Sequence, residues 1–153
     1  MIWIDRIHRW TGAFVGLLLA ALGLSGTLLL YEDAWLRATV PHAQEPLVSD
    51  VVNAGAERLL ADNTLQLTGI IFPTDSLGLF RLSFAGDEGG YADQTGTIVV
   101  RWSSKWERLE LWLFEFHHDL LMGETGLIVS GVLALIGLGF VITGVLLWWR
   151  TRK

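Results

Sequence analysis

Four histidines are the side chains of this sequence best suited to chemistry: His8, His42, His117 and His118. No cysteine is present, which excludes disulfides, thiolate metal sites, iron–sulfur clusters and cysteine nucleophiles. Redox chemistry would therefore need a histidine-bound metal or an organic cofactor. The densest grouping is WLFEFHHDLLMGETG, residues 112–126, where Glu115 and Asp119 flank the histidine pair. An imidazole at the edge of a membrane helix is costly to keep there without a partner. Adjacent residues on a helix diverge by about 100°, so His117 and His118 cannot be equivalent ligands of one metal ion. His42 sits in PHAQEP, a polar turn, and reads as a solvent-exposed histidine.

Two apolar runs must position these histidines. Residues 127–149 follow the histidine pair, 23 residues without a charge, enough to cross a bilayer core of about 30 Å. Residues 11–31 follow His8, 21 residues without a charge. Arg6 and Arg9 ahead of that run also fit a signal peptide. The run is longer than a usual signal core, however, and no clear small-x-small cleavage site follows it directly. It reads as an uncleaved anchor. At about 100° per residue, His8, Gly12, Gly16, Gly23 and Gly26 share an arc of about 80° on this helix. Gly123, Gly126, Ser130, Ala134, Gly137 and Gly144 form a similar strip on the second. Small residues on one face admit another helix or a flat ligand. Helix packing is the commoner use, and His8 at the end of the first strip keeps a cofactor reading open.

The totals agree with a largely membrane chain. Of 153 residues, 52% are hydrophobic, too many for an ordinary soluble domain. Most of the eight Trp lie near the ends of the apolar runs, where aromatic belts form. The net charge of -5 divides unevenly: the middle, residues 32–124, holds six basic and fifteen acidic residues, a net of -9. Basic residues flank both runs on their outer ends: Arg6 and Arg9, then Arg150, Arg152 and Lys153. This places both termini in the cytoplasm and the acidic middle outside. No basic patch exists, which argues against nucleic acid as a partner.

The expected organisation is a cytoplasmic N-terminus (1–10), a membrane helix (11–31) and a linker (32–44). A small domain (45–104), an interfacial amphipathic helix (105–122), a second membrane helix (123–149) and a cytoplasmic tail (150–153) follow. The fold class is thus membrane α plus a small α+β domain. In the domain, the spacing of Leu47, Val51, Val52, Leu59 and Leu60 predicts a helix over 45–61. Strands are expected at 65–72, 79–84, 89–92 and 97–102, with turns at 73–76 and 93–96. One helix on an antiparallel sheet is the natural arrangement. About 60 residues make a marginal core, so support from the membrane helices or a partner is expected. No catalytic constellation stands out here, since the serines lack a local histidine base. Asp87, Glu88 and Asp93 fit no calcium loop and read as a solvated hairpin end.

Four stretches in order resemble the PepSY-associated transmembrane family of bacterial inner-membrane proteins. They are IHRWTGAFVGLLLAALGLSGTLLLYE with His8, Arg9, Gly12 and Ser25-Gly26; the helix–strand pattern of 46–84 with YADQTGTIVV behind it; FHHDLLMGETG with His117, Leu120, Gly123 and Gly126; and SGVLALIGLGFVITGVLLWWR. The second resembles the end of a PepSY domain, here with Asp93, Thr95 and Gly96. Larger members look like ferric-siderophore reductases that hold b-type haem between histidines. By position the resemblance implies His8 and His117 as the iron ligands. His118 stands where the family requires no histidine, and Gly12 and Gly16 lie on the close-approach face. This chain departs from those members in having two membrane helices and one PepSY-like domain.

Three readings follow. In the first, the chain is a transmembrane electron carrier using haem b that serves ferric-siderophore reduction and iron uptake. His8 and His117 are then a helix of about 20 residues, roughly 30 Å, apart. One haem cannot bridge them, so a homodimer or another subunit must complete each site. In the second, the chain is a non-catalytic accessory subunit of a larger membrane complex that presents its domain outside. A role in binding or inhibiting a partner such as a peptidase ranks third.

Overall fold

A computed structural model describes residues 2–151, with the side chains of 10, 12–142, 144, 145, 148 and 149. The chain divides into two units, one made of residues up to Leu29 and from Leu113 onward, the other of Leu30–Trp112.

The first unit is helical. Helix α1 spans Ile2–Leu30, so the expected short entry at 1–10 is continuous with the membrane segment. Nothing in 2–10 breaks a helix: the stretch has no Gly or Pro. Its apolar part, Gly12–Leu30, has 19 residues and is about 28 Å long. The last helix, which we number α5, spans Glu124–Thr151, with Glu124–Ile142 its apolar stretch. Both stretches are long and apolar enough to cross a membrane, and few of their residues are buried. That distinguishes them from core helices of a soluble protein. Phe14, Leu17, Leu24, Ile128 and Leu135 are exposed, as lipid-facing side chains are.

The two long helices run antiparallel where small residues let them touch. A methyl at Gly137 would meet Leu19 Cδ1 at 3.1 Å, and one at Gly12 would meet Phe140 Cε1 at 3.7 Å. Val15 and Ser25 of α1 and Leu133 of α5 are buried.

The second unit is a four-stranded antiparallel meander in the order β1-β2-β3-β4. The strands are β1 (Gly69–Ile71), β2 (Phe80–Ser83), β3 (Gly89–Ala92) and β4 (Ile98–Trp102). Register is set by pairs such as Ile70 with Leu82, Leu82 with Gly90 and Tyr91 with Val100; it shifts between Tyr91 and Ala92. Alternation sends β2 side chains to opposite faces, and both faces are covered. Phe80, Leu82 and Ala92 pack against Val52, Ala56 and Leu59 of α3 (Ser49–Ala61). Tyr91 and Trp102 join a second core with Leu36, Val40, Leu77 and Leu79.

Leu36 belongs to α2, Glu32–Thr39, so the expected linker at 32–44 is half helix. Its sequence supplies the cause: Glu32 and Asp33 complement the dipole at the helix start and Arg37 at its end. Pro41 lies just beyond the last turn. The expected amphipathic helix at 105–122 is also divided. A short 3-10 turn at Lys105–Glu107 comes first, then α4 at Leu109–Asp119. Leu120, Leu121 and Gly123 all adopt positive φ, at 56, 64 and 60°. They make the reversal into α5, and the carbonyl of Asp119 packs directly onto Gly126. Any side chain at Gly126 would strike that carbonyl.

Candidate functional site

Of the sequence-selected residues, His117 is the one that the helical unit fastens most firmly. It lies in the last turn of α4 and reaches α1. Its Nδ1 is 2.9 Å from the Leu22 carbonyl and 3.2 Å from Ser25 Oγ. Ser25 Oγ donates to the same carbonyl at 2.9 Å. The ring rests against Gly26, where an added Cβ would stand 2.7 Å from Cε1. Among the described residues Nε2 has no hydrogen-bond partner. The sequence marks Gly26 as part of the small-residue strip of α1, and the Ser25-Gly26 pair as part of a family pattern. What it could not see is that 92 positions separate this pair from its histidine.

The other candidates do not join His117. His118 stacks on Phe114, centroids 5.4 Å apart and 10° between planes. Its Nδ1 is 3.9 Å from Asp119 Oδ2. The two adjacent histidines thus point to different neighbours. His8 lies in α1, and its side chain is outside the described residues. From His8 to Gly26 is 18 helical residues, about 27 Å. Gly12 faces Phe140, whereas Gly16 faces open space. His42, in the second unit, has φ 64° and bonds Glu45 Oε1 through Nδ1 at 2.6 Å. That bond and the carboxylate's charge raise its pKa. It lines an open hollow of about 520 Å³ with Arg37, Thr39 and Gln44. No group of three or more His, Asp or Glu that could hold a metal ion occurs among the described residues.

Two polar atoms near the α4–α5 reversal are buried without partners: Asp119 Oδ1 and Ser130 Oγ.

The sheet unit carries a charge cluster that the sequence did not reveal. Arg81 of β2 donates to Glu32 Oε1 at 3.0 Å and to Asp33 Oδ1 at 2.6 Å. Ser76 Oγ donates to Asp33 Oδ2 at 2.6 Å. Glu110, 2% exposed, accepts from Tyr91 at 3.0 Å and from Arg108 Nε at 2.6 Å. Burial and the Glu110 carboxylate push the Tyr91 phenol up, so it remains a donor. Burial raises Glu32 more than Arg81 lowers it, with Asp33 and Glu110 adding to the rise. The signal was present, since Arg81 interrupts an apolar strand and Glu110 an apolar helix start. Pairing across 48 positions is what sequence cannot assign.

Nothing among curated proteins or solved structures matches the chain significantly. The family model described as the PepSY-associated TM region matches residues 6–153, which takes in both long helices and the sheet unit between them. A membrane protein with one apolar helix before and one after a small antiparallel sheet in the sequence, this chain belongs to the PepSY-associated TM region family.

Proposed function

We propose that this chain is an electron carrier of the bacterial inner membrane that ligates b-type haem between copies. The observation that carries the proposal is the state of His117, with Nδ1 engaged by α1 and Nε2 without a partner among the described residues. A histidine that ligates iron needs one nitrogen free and is oriented through the other. His117 would hold the iron through Nε2 in this way. No second imidazole joins it among the described residues of the same unit, because His118 is stacked on Phe114. A two-fold partner could supply the second ligand. His8 would serve a separate site about 27 Å along α1.

In this proposal both termini are cytoplasmic, as the basic residues at 6, 9, 150, 152 and 153 favour, and the sheet unit is outside. Bound haem would supply one-electron chemistry, with its potential tuned by burial and hydrogen bonds. Ferric siderophore is the acceptor class that the resemblance suggests. The test is purification in mild detergent followed by an absorbance spectrum. A Soret band with low-spin features, at one haem or more per pair of chains, is expected. A monomer carrying stoichiometric low-spin haem would refute the interchain arrangement, and absence of haem would refute the proposal.

A second reading has its own observation. Gly16 and Gly23 of α1 and Gly131 and Gly144 of α5 face open space, so both helices keep close-approach surfaces for further helices. An accessory subunit would use them to dock in a larger complex. Mass spectrometry of stably co-eluting chains from haem-free protein distinguishes it.

A further inference from the structure

We propose that the Leu22 carbonyl, Ser25 and Gly26 form a seat on α1 that holds His117 as its Nδ1-protonated tautomer and presents Nε2 as the lone-pair nitrogen. The assignment follows from which atoms can donate. A carbonyl oxygen has no proton, so the 2.9 Å contact between Nδ1 and Leu22 requires the proton on Nδ1. Ser25 has one hydroxyl proton, and it goes to the same carbonyl. Toward Nδ1, at 3.2 Å, Ser25 Oγ therefore offers only a lone pair. Both neighbours of Nδ1 are acceptors. The other neutral tautomer would set a nitrogen lone pair against a carbonyl lone pair.

Gly26 makes the seat accessible. An added Cβ would lie 2.7 Å from Cε1, 3.2 Å from Nδ1 and 3.3 Å from Nε2. Side-chain carbons do not approach a ring so closely, so alanine at this position must push the imidazole away from Leu22. The requirement is local. Gly23, one turn earlier on the same helix, has nothing within 4 Å of an added Cβ. Ser25 is 3% exposed, so its hydroxyl has no bulk water to turn to and stays on the carbonyl. Ser25 and Gly26 are thus positioning residues: they act on the ring of His117.

The seat itself does not depend on haem. Its consequence, an Nε2 that would hold haem iron, rests on the function proposed above.

The experiment uses the full chain in detergent with ¹⁵N-labelled histidine and no added haem. The His117 resonances are assigned by their loss in His117→Gln. Wild-type His117 is expected to show a protonated, pyrrole-type Nδ1 and a pyridine-type Nε2. Gly26→Ala should convert this to a mixture of tautomers, and Gly23→Ala should leave it unchanged. A wild-type spectrum with the proton on Nε2 overturns the proposal, whether or not Gly26→Ala folds. So does a folded Gly26→Ala with the wild-type pattern. Titrating haem into the same proteins separates the two claims. If haem binds, Gly26→Ala should weaken it about tenfold to a hundredfold, as loss of an orienting contact does. If wild type takes no haem yet shows the protonated Nδ1, the seat stands and the electron-carrier proposal falls.

Discussion

Tyr91 and Glu110 show what a buried polar pair requires. The phenol has only the carboxylate to donate to, and the carboxylate, 2% exposed, depends on Tyr91 and Arg108 for its donors. Tyr91→Phe keeps the ring's packing on Trp102 and removes one donor. It should destabilise the sheet unit by about 1–2 kcal/mol, read as a shift in the denaturant midpoint. Glu32 behaves differently, because burial holds its folded pKa above the ordinary carboxyl value of 4.5. A carboxyl with a raised folded pKa binds its proton more tightly in the native state. Its contribution is fully present at acid pH and is lost as pH rises past that value. Glu32→Gln fixes the neutral form, so the variant should gain on wild type between pH 4 and pH 7. Denaturant unfolding at the two pH values checks this, and a gap that shrinks toward neutrality would contradict it. At His42 the sign is that of a cation with a partner. Its pKa should lie above 6.5 by NMR titration and fall back when Glu45 becomes Gln.

At the scale of elements, much of the sheet was legible because its signals are local. Alternation over 79–84 marks β2, and Asp93-Gln94-Thr95-Gly96 marks the β3–β4 turn. There Asp93 Oδ1 accepts from the amides of Thr95 and Thr97 at 2.9 and 3.0 Å. Burial alone would raise the pKa of Asp93, but these bonds and the Thr95 hydroxyl lower it. Helix α2 was not legible, since Pro41, His42 and Pro46 drew the reading toward a linker. Its apolar residues serve the sheet face opposite α3, a partner that no local window contains. The same limit hid the role of Gln94, which accepts from Val48 N at 2.9 Å and donates to Pro46 O at 2.9 Å. It fastens the start of α3 to the turn. Gly55 of α3 then lies flat on that turn, and an added Cβ would collide with the Gln94 carbonyl. Backbone meets backbone there, so neither side can yield by a rotamer change. Gly55→Ala should cost about 3 kcal/mol, whereas Ala54→Gly, on the exposed face, should cost about 1 kcal/mol through helix propensity. Equal losses in the two variants would mean that the α3–turn contact carries no weight.

At the scale of the molecule, the sequence offers histidines as candidate residue types, and the structure shows how far apart it holds them. His8 and His117 were both selected from sequence, yet a continuous α1 places His8 about 27 Å from the Gly26 level where His117 docks. The two histidines cannot share one flat ligand, and a dimer with two sites is the arrangement that uses both. This gives a prediction with a quantitative form. His8→Ala should remove about half of the haem absorbance and leave the rest with unaltered low-spin features. His117→Ala should remove the other half, and the double variant should be colourless. Were the two histidines to serve one site, either single variant would lose everything. Gly16→Leu adds the interface to the test, because an added Cβ at Gly16 meets nothing within 4 Å among the described residues. A leucine there is expected to obstruct a neighbour that approaches α1 along that face. Light scattering in detergent should then show a shift from dimer to monomer together with loss of haem. A Gly16→Leu protein that stays dimeric and fully loaded would place the interface elsewhere, on the open small residues of α5.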